Sequence, residues 1–122
     1  MPTFAIETKK IDGPSIFVVK TRGYFDESGG QKFSEIVRGL VQQGGRRFII
    51  NLKDTPIINS QGIAALLEIL DEIVYDHHGE AAFCGLSKAI NDVFRMTGIS
   101  TTFKVHDTEE AAISLLSQSS QR

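Results

Sequence analysis

Ser60 lies in the stretch Asn59-Ser60-Gln61-Gly62, where an apolar run ending at Leu52 gives way, through a Pro-bearing connection, to a helical repeat of apolar residues. A serine in the first turn of a helix meets backbone N–H groups that have no intrahelical partner, together with the positive end of the helix dipole. A phosphate on that hydroxyl would be partly solvated by the fold. It would also add about −1.5 to −2 charges near neutral pH, enough to repel an acidic partner or reorganise a contact surface. The same residues suit a structural role equally well: Ser60 or Asn59 caps the helix, contributing about 0.5–2 kcal/mol, and Gly62 permits close backbone approach.

Hydrolysis at Ser60 would need a base and an orienting acid, and the three histidines, His77, His78 and His106, are poorly placed to supply them. His77 and His78 close a helix, where a cation suits the dipole. Adjacent helical histidines also diverge, unlike the i, i+4 pair of a zinc site. Neither Gly-x-Ser-x-Gly, Gly-x4-Gly-Lys-Ser/Thr nor Gly-x-Gly-x-x-Gly occurs, so hydrolysis, nucleotide turnover and dinucleotide binding find no motif. Cys84 is the sole cysteine, which rules out an intrachain disulfide and a Cys-based zinc cage; its setting, EAAFCGL, reads as a small apolar residue in a strand. Arg46-Arg47 follow a Gly-Gly turn and precede a strand, the usual place of solvated gatekeepers. No catalytic residue, metal or cofactor is expected, and the chain is read as a non-enzyme.

The elements that must position Ser60 follow from periodicity. Residues 4–10 and 15–22 flank the turn signal Asp12-Gly13-Pro14 and predict an N-terminal β-hairpin. Gly23 ends its second strand. Phe33, Ile36, Val37, Leu40 and Val41 then mark a helix, with Ser28 and Gln31 in the form of a capping box and Gly44-Gly45 as the stop. Residues 47–52 are nearly all apolar, the pattern of a central strand covered on both faces. From Ile63 a helical stripe runs to Val74, with Gly79 as its expected C-cap. Residues 80–84 predict a strand, Ser87 the start of a helix ending before Gly98, and residues 103–105 a short last strand. Asp107 and Glu110 form a second capping box before a terminal helix. The order β-β-α-β-α-β-α-β-α predicts a mixed, mostly parallel α/β sheet with about four helices, as one domain over residues 1–122.

Composition narrows the partners. Among 122 residues, 41% are hydrophobic and 23% charged, as in a globular domain. A net charge of −2 gives no positive field to hold nucleic acid or an anionic membrane. No apolar stretch approaches a membrane span and residues 1–10 lack the order of a signal peptide, so a cytoplasmic protein without membrane insertion is expected.

The element order and three separated stretches together resemble the STAS domain of bacterial anti-sigma-factor antagonists, over nearly the full chain. Gly23-Tyr24-Phe25-Asp26 is similar to a Gly-x-x-Asp segment that ends the family's second strand. Asn59-Ser60-Gln61-Gly62 is similar to its Asp-Ser-x-Gly segment, here followed by the Leu-rich helix 63–74, and residues 86–99 resemble a later helix of the family type. The resemblance implies a partner-switching protein without catalysis of its own. Ser60 would be phosphorylated by a GHKL-type serine kinase that is also an anti-sigma factor. The unphosphorylated antagonist would bind that kinase, the phosphorylated form would release it, and a serine phosphatase would reset the cycle. Asp26, matching an acidic residue near the phosphorylation site, would join Asn59, Gln61, Gly62 and Ile63 in the partner-binding surface. Asn59 stands where the family motif has aspartate, which leaves two readings open: a modified serine with altered kinase selectivity, or a domain used for binding alone. The alternative is a STAS interaction module of a stress-signalling scaffold or of a membrane transport system.

Overall fold

Two-faced apolar character at the chain's centre organises the molecule. In the computed structural model, which describes residues 4–11 and 16–119, five strands form one sheet in sequential order. β1 (Ala5–Ile11) pairs antiparallel with β2 (Ile16–Arg22), Ala5 facing Arg22 and Ile11 facing Ile16. The turn signal Asp12-Gly13-Pro14 lies outside the described residues. β3 (Arg47–Asp54), β4 (Glu80–Cys84) and β5 (Lys104–His106) then add in parallel, as helical crossovers require. β3 is the middle strand, and residues Phe48 to Leu52 are buried on both faces.

Alternation along β3 divides the apolar residues between two layers. Phe48, Ile50 and Leu52 face the larger core, shared with α1 (Glu27–Gln42), α2 (Ser60–Asp71), α3 (Lys88–Thr97) and the single turn α4 (Ile99–Thr102). Ile49 faces the smaller core, which α5 (Glu109–Ser119) covers with Ala112 and Leu116. One helix therefore covers the second face. Asn51, on that face, donates from Nδ2 to Glu109 Oε1 at 3.0 Å, and Lys9 Nζ binds Glu109 Oε2 at 2.9 Å. Two polar bonds thus fasten the first turn of α5 to the sheet.

Several boundaries differ from those the sequence suggested. α1 is capped by Asp26 rather than Ser28: the Asp26 carboxylate accepts from Gly29 N at 2.9 Å, and Ser28 lies inside the helix. The reason is Phe25, whose fully buried ring and strand-like bridge to Ile58 bring the extended chain to an end one residue later. α5 is capped by Thr108 rather than Asp107, its Oγ1 accepting from Ala111 N at 3.2 Å. α2 runs on into a π-helical turn, Glu72–Asp76, and the left-handed residue that follows is His78 (φ 56°), not Gly79. Gly79 serves close approach instead, since a Cβ there would sit 2.4 Å from the carbonyl oxygen of Arg46. α4 is an additional short helix, and the last strand begins at Lys104. Elsewhere the structure agrees with expectation: Ser87 caps α3 by accepting from Ile90 N, and Gly44 (φ 98°) follows the end of α1.

Candidate functional site

The site is the place where α1 and α2 begin. Beyond the ends of β2 and β3 the two connecting segments continue as partners: Gly23 N donates to Asp54 O at 3.0 Å, and Phe25 N to Ile57 O at 3.1 Å. Asn59 N donates to Phe25 O at 3.1 Å, and Phe25 and Ile58 form a parallel bridge. The ring of Phe25 anchors this arrangement between Phe4 and Phe33, with centroids 5.2 and 5.4 Å away. One residue beyond the bridge on each segment stands a helix cap, Asp26 on one and Asn59 on the other. Phe25, buried in the core, therefore holds the two caps side by side.

Small residues let the helices start this close. A Cβ on Gly62 would lie 2.2 Å from Phe25 O, and one on Gly30 would lie 2.6 Å from the Cβ of Ala65. The choice of residues at these positions thus brings two positive helix ends to one surface. Their side-chain charges differ. α1 carries Asp26 at its cap and Glu27 in its first turn, whereas α2 has an uncharged cap and no acidic residue in its first turn.

Asn59 is the cap of α2, its Oδ1 accepting from Gly62 N at 2.9 Å. Ser60 is the first helical residue and is exposed. Of the two capping roles the sequence left open, the structure gives this one to Asn59 and none to Ser60. Gln61 and Ala64 share the exposed surface beside Ser60. Gly62 and Ile63, expected among the partner-binding residues, are buried and shape this surface from below. Period 3.6 turns Ile63 toward the core along with Leu66 and Leu70. Asp26 is half-buried and committed to its cap.

Two residues that residue-type reasoning passed over complete the surface. Tyr24 is 45% exposed and Ile57 50% exposed, each in a segment leading to one of the caps. Their signal in the sequence was weak: an apolar residue beside a turn looks the same whether it faces in or out.

The other candidates for chemistry lie elsewhere. His77 and His78 stand at the far end of the helical stretch that Ser60 begins, about 25 Å away at 1.5 Å per residue. His106 is on β5, three strands from β2. Cys84 is buried, and burial pushes its thiol up to about 11, so the unreactive protonated form dominates at neutral pH. Among the described residues no group of three or more His, Cys, Asp or Glu could hold a metal ion, and no helix is long and apolar enough to cross a membrane.

Comparison with known proteins agrees with this architecture. The STAS domain family matches residues 5–112. A protein of Bordetella bronchiseptica named, provisionally, as the anti-sigma factor antagonist BtrV is 25% identical over 103 residues, covering 84% of this chain and 86% of its own. Among solved structures, the Bacillus cell fate determinant SpoIIAA in its phosphorylated form superposes with a TM-score of 0.72 at 19% identity, over 92% of this chain and 99% of that one. A sulfate transporter family protein of Wolinella succinogenes gives 0.79 at 16% identity, over 93% of each chain. The two structures share the fold with this chain while their names point to different settings. The match over residues 5–112, with the five-stranded mixed sheet and its paired helix starts, makes this chain a member of the STAS domain family.

Proposed function

We propose that the protein is an anti-sigma-factor antagonist that works by partner switching, with phosphorylation of Ser60 as the release signal. The observation that carries this reading is the state of Ser60: exposed, relieved of capping by Asn59, and first in a helix whose opening turn holds no acidic side chain. A phosphate there would meet a positive dipole end without a carboxylate on its own helix start to oppose it. Asn59, in the position where the resemblance led us to expect aspartate, retains the cap and removes that opposition. The similarity to BtrV supports the same setting.

In this reading Ser60, Gln61 and Ala64, bordered by Asp26, Tyr24 and Ile57, form the contact surface for a GHKL-type serine kinase in the cytoplasm. Adding about −1.5 to −2 charges to a surface that already carries Asp26 and Glu27 releases a partner whose matching surface is acidic or apolar. A serine phosphatase restores the binding form. Peptide mass spectrometry of protein from its native host, with Ser60→Ala as control, is expected to find phosphate on Ser60 in part of the population. Unmodified Ser60 across growth and stress conditions would overturn the switch.

The Wolinella structure favours a second reading, a constitutive STAS module of a transport system. In that case the same surface binds its partner equally well with Ser60→Ala and Ser60→Glu.

A further inference from the structure

The segment that delivers Ser60 is held at every residue. Ser87 Oγ donates to Pro56 O at 3.0 Å, Phe25 N donates to Ile57 O, Ile58 bridges to Phe25, and Asn59 N donates to Phe25 O. Its first residue, Thr55, is held by a side chain: the hydroxyls of Thr55 and Thr21 bond to each other, and both residues are 0% exposed. Thr21 occupies the point where the β2–β3 pairing slips, between Lys20, which faces Asn51, and Arg22, which faces Asp54. Two residues before Gly23, it begins the segment that leads to Asp26. The hydroxyl pair thus fastens the Asp26 segment to the Ser60 segment, inside the protein and below the exposed surface.

Apolar packing alone does not call for two hydroxyls at this spot. Buried hydroxyls are costly unless partnered, and a pair that satisfies only itself gives direction rather than net burial. We propose that Thr21 and Thr55 are positioning residues that lock the Ser60 segment to the Asp26 segment and so present the Ser60 hydroxyl in one orientation. The inference deepens the reading of Ser60 as the regulated residue and rests on it for its functional consequence. The restraint itself is measurable without any kinase.

Four proteins make the test: wild type, Thr55→Val, Thr55→Ser, and Thr21→Val combined with Thr55→Ala. Thr55→Val keeps the shape and strands the Thr21 hydroxyl; Thr55→Ser keeps the bond. The double variant removes both hydroxyls, so no buried donor is left unpaired and the melting temperature recovers toward wild type. Amide hydrogen exchange is read at Phe25 and Asn59, which bond across the two segments. Loss of one hydrogen bond predicts exchange about tenfold faster at both amides in Thr55→Val, with wild-type rates in Thr55→Ser. In the double variant exchange stays fast although stability has recovered. With the serine kinase, kcat/KM for the protein falls in the Val and double variants and is kept in Thr55→Ser.

Exchange that is unchanged at Phe25 and Asn59 in Thr55→Val, or that tracks global melting across all four proteins, overturns the positioning role and leaves the pair as core filling. Absence of phosphate on wild-type Ser60 sinks the switch separately, and the exchange rates still decide the restraint.

Discussion

At Asn59 a single side chain separates two jobs that could have fallen to one residue. Because its Oδ1 takes the Gly62 amide, the neighbouring hydroxyl of Ser60 is left to solvent. Replacing Asn59 by Ala is expected to cost about 0.5–2 kcal/mol of unfolding free energy, read from urea denaturation. Asn59→Asp retains the cap and adds a charge that suits the helix end, for a gain of up to about 1 kcal/mol in the unmodified protein. Phosphorylation of Ser60 in that variant should reverse the gain. Glu109 is a second residue with a defined job. Burial pushes its carboxyl upward, but the bonds from Lys9 and Asn51 outweigh this and hold it below its ordinary value of 4.5. A carboxylate with a lowered folded value stabilises above 4.5, and that contribution is lost as pH falls through the folded value. Glu109→Gln should therefore be less stable than wild type at pH 7, with the gap closing below pH 4.5, as denaturation midpoints across pH would show.

Between elements, the decisive contact is that of α1 with α2. Their closeness depends on Gly30 and Gly62, whose missing Cβ atoms would strike Ala65 and the Phe25 carbonyl. The backbone oxygen of Phe25 cannot swing aside as a side chain does. Gly62→Ala is accordingly expected to cost about 1–3 kcal/mol through overpacking, even though alanine is the better helix former. Its effect should spread to Asp26, since any shift of α2 pulls on Phe25 and the bridge to Ile58. Chemical-shift changes at Gly29, the amide that Asp26 caps, would report that coupling. Between α1 and the π-helical turn that continues α2, Arg38 pairs with Glu72 at 2.6 Å on the surface. That ion pair is largely solvated and adds at most about 1 kcal/mol.

For the molecule as a whole, the sheet separates a thick layer from a thin one. The larger core holds all five fully buried phenylalanines and the inner faces of α1 to α4, while the smaller one depends on α5. Leu66→Ala, in the larger core and fully buried, should cost about 2–5 kcal/mol, and Leu116→Ala, at 9% exposure under α5, should fall at or below the lower end of that range. Paired denaturant midpoints would test the ranking. The candidate surface stands at the helix starts of the thick layer, where packing holds the backbone in place, and the thin layer is removed from it by the sheet.

How much of this was legible in the sequence follows from the range of the interactions involved. Helical stripes, the all-apolar centre of β3 and the serine at a helix start are local patterns with periods of 3.6 or 2, and they located the sheet, the helices and Ser60. The spacing of Gly23–Asp26, Asn59–Gly62 and residues 86–99 located the family. Caps were less legible, because Ser28 and Asp26 are equally able to accept from an N–H. The burial of Phe25, far from either cap's own chemistry, chose between them. The burial of Gly62 against Phe25, the outward turn of Tyr24 and Ile57, and the buried bond between Thr21 and Thr55 all join residues about thirty positions apart or depend on such contacts. Local composition determined that a serine would open a helix; only the packing of one segment against the other decided what surrounds it.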